Sequence, residues 1–264
     1  MKNILLLVHD DAGQEARLQT ALDLTRALGG HLICLDVIPP PVVAGGDINV
    51  SAPVIFADEQ ASEAENRAHL ERRLDREDVA WEMRQVEGDL ADSVISDAGL
   101  ADLIVVNRKL DDPFSPEMRS VASSIALKSG KPVVAVPERC KGFDVNGPAF
   151  VAWDGSLPAM GALSGAVPLL KKAPSVLLFE VEDSHPSSVE EAARYLSRHG
   201  IHALIRQVPK GDGPAAQIEQ AIKSDGAAYC VMGAYGHGRM REALFGGVTR
   251  HMLGCSTVPL FLAH

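Results

Sequence analysis

The sequence predicts an α/β protein built from two doubly wound domains in tandem, each with a five-stranded, mainly parallel sheet. Three observations carry this reading. Short apolar runs of strand length alternate with helix-length segments along the whole chain, the pattern of βαβ crossovers. The same series of elements occurs twice. Matching residues in the two halves recur at nearly constant offsets, the mark of an internal duplication.

The elements of the first half follow in order. Asn3–Val8 (NILLLV) is a continuous apolar run, as expected of a parallel strand buried on both faces. From Gln14 to Leu28, Ala21, Leu24, Ala27 and Leu28 return at helical spacing, and Gly29-Gly30 stops the helix. His31–Ile38 is a second strand. Pro39–Pro53, rich in Pro, Gly and small residues, reads as a loop. A charged helix over Asp58–Arg76 leads to a third strand, Val79–Val86, and Gly88-Asp89 opens the next helix. Leu103–Val106 and Val133–Val136 are the fourth and fifth strands, with a helix around Val121–Lys128 between them.

From Pro148 the series repeats. Strands are expected at Ala149–Trp153, Ser175–Val181, His202–Val208, Ala228–Met232 and Val258–Leu262. Helices are expected at Pro158–Lys172 and Val189–His199, and from Gly211-Asp212 to near Lys223. Asp10 aligns with Asp154, Gly88 with Gly211, Asn107 with Gly233 and Pro132 with Pro259. The offset drops by about twenty residues where the first half carries its long loop. Glu138–Gly147, polar and glycine-bearing, reads as the linker, giving domains 1–138 and 147–264.

Composition narrows the function. Hydrophobic residues make up 46% and charged residues 23%, an ordinary globular balance. A formal charge of −10 argues against nucleic acid and acidic membrane surfaces as partners. No apolar run approaches the roughly 20 residues of a membrane span, and the N-terminus has no signal-peptide anatomy, so a cytoplasmic protein is expected. Cys34, Cys140, Cys230 and Cys255 form no C-x-x-C pair, and none stands near a His at metal-ligand spacing, so reduced, structural thiols are expected.

The chemistry concentrates after the fourth strand of the second half. Gly233, Gly236 and Gly246 are spaced G-x2-G-x9-G, at the carboxyl end of a parallel strand, where open α/β sheets bind ligands. Glycines let backbone N–H groups approach phosphate oxygens, and the helix opening over Gly246 to Thr249 favours an anion at its N-terminus. Arg239, Arg241 and Arg250 against Glu242 leave this stretch at +2. Spacing alone is equally compatible with a surface loop. The first half is an internal control: Asn107–Ser124 has no glycine, its charges cancel, and Pro113 and Pro116 stiffen it.

With these residues in place, the whole chain resembles a tandem member of the universal stress protein family, whose domains are Rossmann-like. Asp154-Gly155-Ser156, Val181, and the run from Met232-Gly233 to Thr249 match the family pattern. The resemblance implies ATP lying across the strand ends. Asp154 would take the ribose or adenine edge, and Ala152, Val181 and Met232 would surround the base. Gly233, Gly236, Gly246, Gly247, Val248 and Thr249 would hold the phosphates, with Mg²⁺ beside them. It also implies that the last strands pair or pack between the domains, mimicking the family's dimer; a homodimer of whole chains is a further expected partner. One departure stands out. Gly247 occupies the place of the family's Ser or Thr, and losing that hydroxyl costs on the order of 1 kcal/mol, which Thr249 could offset.

Other residues read more simply. Asp154 serves ligand contact or a turn, ahead of catalysis. His9-Asp10-Asp11 reads as a solvated loop, with Asp10 the counterpart of Asp154. His237 and His251 flank the glycine loop. The Glu59–Arg76 segment reads as a solvated helix face, and Trp81 and Trp153 as core or pocket wall. No nucleophile is paired with a base, so no catalytic residue is assigned and turnover is expected to be slow or absent. The expected role is adenine-nucleotide binding in a stress response. Two alternatives stay open: a nucleotide-independent interaction or small-ligand module, and a weak ATP hydrolase or adenylyl-transfer enzyme.

Overall fold

The computed structural model describes residues 1–38, 52–111, 116–181, 189–211, 213–236 and 247–264, without the side chains of 52–62. The first half runs β1 (Asn3–Val8), α1 (Gln14–Leu28), β2 (His31–Ile38), α2 (Ala52–Leu74), β3 (Ala80–Glu87), α3 (Leu90–Asp97), β4 (Leu103–Lys109), α4 (Met118–Lys128) and β5 (Val133–Pro137). The second runs β6 (Ala149–Trp153), α5 (Leu157–Leu170), β7 (Val176–Val181), α6 (Val189–Arg198), β8 (Ala203–Val208), α7 (Pro214–Ser224), β9 (Tyr229–Gly233), α8 (Val248–Cys255) and β10 (Leu260–Ala263).

Local chemistry explains the boundaries. Gly29 ends α1 in the left-handed conformation (φ 56°), and its N–H and that of Gly30 return to carbonyls of the last turn. Asp89 caps α3, accepting from the N–H groups of Ala91 (2.9 Å) and Asp92 (3.1 Å). The loop expected over Pro39–Pro53 lies mostly outside the described residues. Its last two residues, Ala52 and Pro53, belong to α2, which starts six residues before the expected Asp58; proline is tolerated in a first helical turn, where its missing N–H has no partner to lose.

All ten strands join one sheet in the order β3-β2-β1-β4-β5-β10-β9-β6-β7-β8. Every pairing is parallel except β5 with β10, which run antiparallel with Leu260 opposite Ala135 and Leu262 opposite Val133. The expected junction of the last strands is thus a continuous hydrogen-bonded seam. Helices cover both faces. One core packs α1, α2, α5 and α6 against the sheet, and the other packs α3, α4, α7 and α8. This is why the central strands read as unbroken apolar runs: all residues of β5, β6 and β10 are buried. The edge strands β3 and β8 are largely exposed.

The register corrects the alignment of the halves. Ile4, Leu6 and Val8 of β1 share a core face with Ala149, Val151 and Trp153 of β6. Ile4 lies beside Leu103 in β4 as Ala149 lies beside Tyr229 in β9. Val8 therefore corresponds to Trp153, and His9, not Asp10, stands where Asp154 stands. A slip of one residue carries every side chain to the opposite face. Apolar runs buried on both faces give no alternation by which sequence comparison could detect it.

Three further expectations change. His251 and Cys255 lie one turn apart on α8, and both meet Glu219 of α7, so a cysteine does stand at helical ligand spacing from a histidine. The α2 helix is not a plain solvated face: Glu63, Leu70 and Leu74 are buried. His9 and Asp11 are not in a solvated loop, as described below. Trp153 is core, and Trp81 packs partly against the same core.

Candidate functional site

The strand order reverses direction between β6 and β9 in the second half, and between β1 and β4 in the first. At such switch points the two diverging crossover connections leave a crevice at the carboxyl ends of the strands. Each half thus has one candidate site, and their contents differ.

In the second half, Ala152 lies beside Met232 across β6 and β9, and beside Phe179 across β6 and β7. Val181 lies two residues beyond Phe179 on the same face and is half-buried at the end of β7. These three side chains share one face of the sheet, at its carboxyl edge. Past β6, Gly155 turns the chain (φ 69°). The Asp154 carboxylate accepts from the Ser156 N–H (3.0 Å) and hydroxyl (2.7 Å), while Ser156 caps α5 by accepting from Ala159 N–H (3.2 Å). Asp154 is exposed and holds this turn.

The chain leaving β9 folds back onto the same turn. A Cβ on Gly236 would stand 2.6 Å from Ser156 Oγ, and a Cβ on Gly233 would stand 2.5 Å from the Ala159 backbone nitrogen. Glycine at both positions is thus dictated by contact with the start of α5. Tyr235 adopts a left-handed conformation (φ 58°), donates its N–H to Thr249 Oγ1 (3.1 Å), and donates its hydroxyl to Ser123 Oγ of the first half (2.6 Å). Thr249 is buried with its hydroxyl engaged by the loop. Gly247 and Val248 begin α8, whose N-terminus has no side-chain cap. Gly246, His237 and the arginines at 239 and 241 lie outside the described residues.

In the first half the equivalent crevice is filled by Arg17, which is fully buried. Its guanidinium donates to Leu7 O (3.1 Å), His9 O (2.9 Å), both Asp11 oxygens (2.8 Å each) and Asn107 Oδ1. Burial pulls its pKa below the ordinary arginine value, opposed by Asp11, whose side chain is 1% exposed. Asn107 is the sheet counterpart of Gly233, and a Cβ on Gly13 would stand 2.4 Å from its Oδ1. The same strand end is therefore polar side chain in one half and bare backbone in the other. Beside this plug, His9 Nδ1 lies 3.1 Å from Glu63 Oε1. Asp36 is fully buried and accepts from Gln85 Nε2 (3.2 Å); burial, and then Glu63, push its carboxyl up to about 6.

The Arg17 plug gave no sign in sequence, whereas Ser156, just ahead of a helix with proline in its first turn, carries a legible cap signal. The His251-x3-Cys255 spacing on α8 is a legible signal for the cluster these two residues form with Glu219.

The fold defines a doubly wound α/β protein with a candidate site at the carboxyl edge of the sheet in each half. The model of the universal stress protein family matches residues 1–137, and the chain belongs to that family. That match falls on the half without the glycine motif. No curated protein matches the chain. Among solved structures, a universal stress protein from Archaeoglobus fulgidus is 18% identical, with 99% of this chain and 97% of that one covered and a TM-score of 0.76. A functionally unknown protein from Pseudomonas aeruginosa is 15% identical, with 99% and 92% covered and a TM-score of 0.58. These likenesses show the fold. A universal stress protein solved in complex with cAMP covers 44% of this chain at 16% identity and a TM-score of 0.36, too distant to bear on the site.

Proposed function

We propose that the second half binds an adenine nucleotide, ATP with Mg²⁺, across the ends of β6, β7 and β9, in a stress-response role with slow or no turnover. One contrast carries the reading. Where the first half fills its switch point with Arg17 and Asn107, the second has glycine at 233 and 236 and an N-terminus of α8 without a side-chain cap. Exposed N–H groups at a helix start suit phosphate oxygens. The apolar side chains of Ala152, Val181 and Met232 suit the faces of a base, and Asp154 suits a hydroxyl or amino edge. Mg²⁺, when bound with the nucleotide, would neutralise phosphate charge.

The test is calorimetric titration of Mg·ATP into the whole chain and into a variant carrying Gly236→Val and Gly246→Val. Binding near one nucleotide per chain, lost in a variant that still folds, supports the reading. No heat at millimolar ATP overturns it in favour of a nucleotide-independent interaction module. Gly247, which lacks a hydroxyl, and Thr249, whose side chain is buried, favour that second reading.

A further inference from the structure

We propose that Glu219, His251 and Cys255 form a zinc site on the α7–α8 face of the second half. The three donor atoms, a carboxylate oxygen, an imidazole nitrogen and a thiol sulfur, all lie within 4.8 Å of one another. His251 and Cys255 project from the same face of α8 because residues four apart are neighbours on a helix. Glu219 reaches them from α7, which packs alongside α8. Its Oε2 lies 3.0 Å from His251 Nε2 and 3.2 Å from Cys255 Sγ.

These separations are close to those a metal requires. Tetrahedral zinc with ordinary bond lengths sets oxygen–nitrogen and oxygen–sulfur edges of about 3.3 and about 3.5 Å. Reaching it lengthens the oxygen–nitrogen and oxygen–sulfur edges by about 0.3 Å each, with the nitrogen–sulfur edge, now within 4.8 Å, brought to about 3.5 Å. The donor set also discriminates. Thiolate with imidazole and carboxylate suits zinc, whereas magnesium and calcium prefer oxygen alone.

The surroundings hold the donors in place. Lys223 Nζ donates to the other carboxylate oxygen of Glu219 (2.5 Å), fixing the group and leaving Oε2 turned to the cluster. Arg108 donates to Leu253 O (3.0 Å) and Gly254 O (2.9 Å), anchoring the last turn of α8 beside Cys255. Glu219 is held down to about 2 by Lys223 first and His251 next, so it is ionised at neutral pH. Burial, and then Glu219, push the Cys255 thiol up to about 11, so the metal must displace its proton to solvent. The His251 side chain is 42% exposed, which leaves an open side for a fourth ligand from water. The site does not depend on nucleotide binding.

The experiment titrates Co²⁺ into the reduced, nucleotide-free whole chain and follows absorption, with Zn²⁺ calorimetry in parallel. A thiolate-to-cobalt charge-transfer band, saturating near one ion per chain and displaced by Zn²⁺, is the expected result. The band is lost in Cys255→Ser and in His251→Ala, and persists in Cys140→Ser, which removes the other half-buried thiol. No saturable binding, or a band that survives in either Cys255→Ser or His251→Ala, overturns the proposal. His251→Ala keeps the test decisive if the cysteine variant does not fold.

Discussion

The buried Arg17 gives the sharpest expectation. Arg17→Met keeps much of the side-chain volume but removes every donor of the guanidinium. The Leu7 and His9 carbonyls, Asn107 and the 1% exposed Asp11 carboxylate then lose their partner inside the protein. Breaking one side of a buried pair typically costs about 3–5 kcal/mol, because the surviving charge stays desolvated. For a chain of this size each kcal/mol lowers the melting temperature by roughly 2–4 °C, so a drop of about 6–20 °C is expected. The assay is thermal and urea unfolding at neutral pH, followed by circular dichroism. Adding Asp11→Asn neutralises the orphaned carboxylate while keeping an acceptor for the Gly13 N–H, which Asp11 also holds at 2.8 Å. The double variant should regain at least about 1 kcal/mol. A loss below about 1 kcal/mol for Arg17→Met, or no recovery in the double variant, would refute the reasoning that a desolvated ion pair plugs this crevice.

Two more outcomes follow from neighbouring features. Asp36 has its folded pKa raised to about 6, so folding favours its protonated form, and its contribution to stability declines as pH rises from about 4 to about 6 and stays low above that. It faces Glu63, Arg67, His9 and Gln85. Asp36→Asn should flatten that decline and stabilise the protein at pH 7 by at most about 3 kcal/mol; unchanged pH dependence in urea titrations would count against a buried carboxyl. Gly233→Ala brings a Cβ to 2.5 Å from the Ala159 nitrogen and 2.9 Å from the Pro158 carbonyl carbon, both backbone atoms. It should cost about 1–3 kcal/mol in urea unfolding, and no change would show that β9 and α5 are not in such close contact.

Sequence alone determined much of this protein. Periodicity is a local property, so the strands, helices and their order were legible, with β1, α1 and β2 at the observed boundaries. Glycine spacing after β9 marked the candidate crevice, and the absence of glycine after β4 marked its counterpart as different. The tertiary structure decided the rest. The joining of both halves into one sheet rests on β5 meeting β10 more than a hundred residues later, although family resemblance anticipated that contact. The pairing of His9 rather than Asp10 with Asp154 needed sheet register, which runs buried on both faces do not encode locally. Arg17 meets Asn107 ninety residues away, and Glu219 meets His251 thirty-two residues away. Such contacts depend on how elements pack, and a surface-like charge pattern on a helix gives no sign of whether a side chain faces water or closes a crevice.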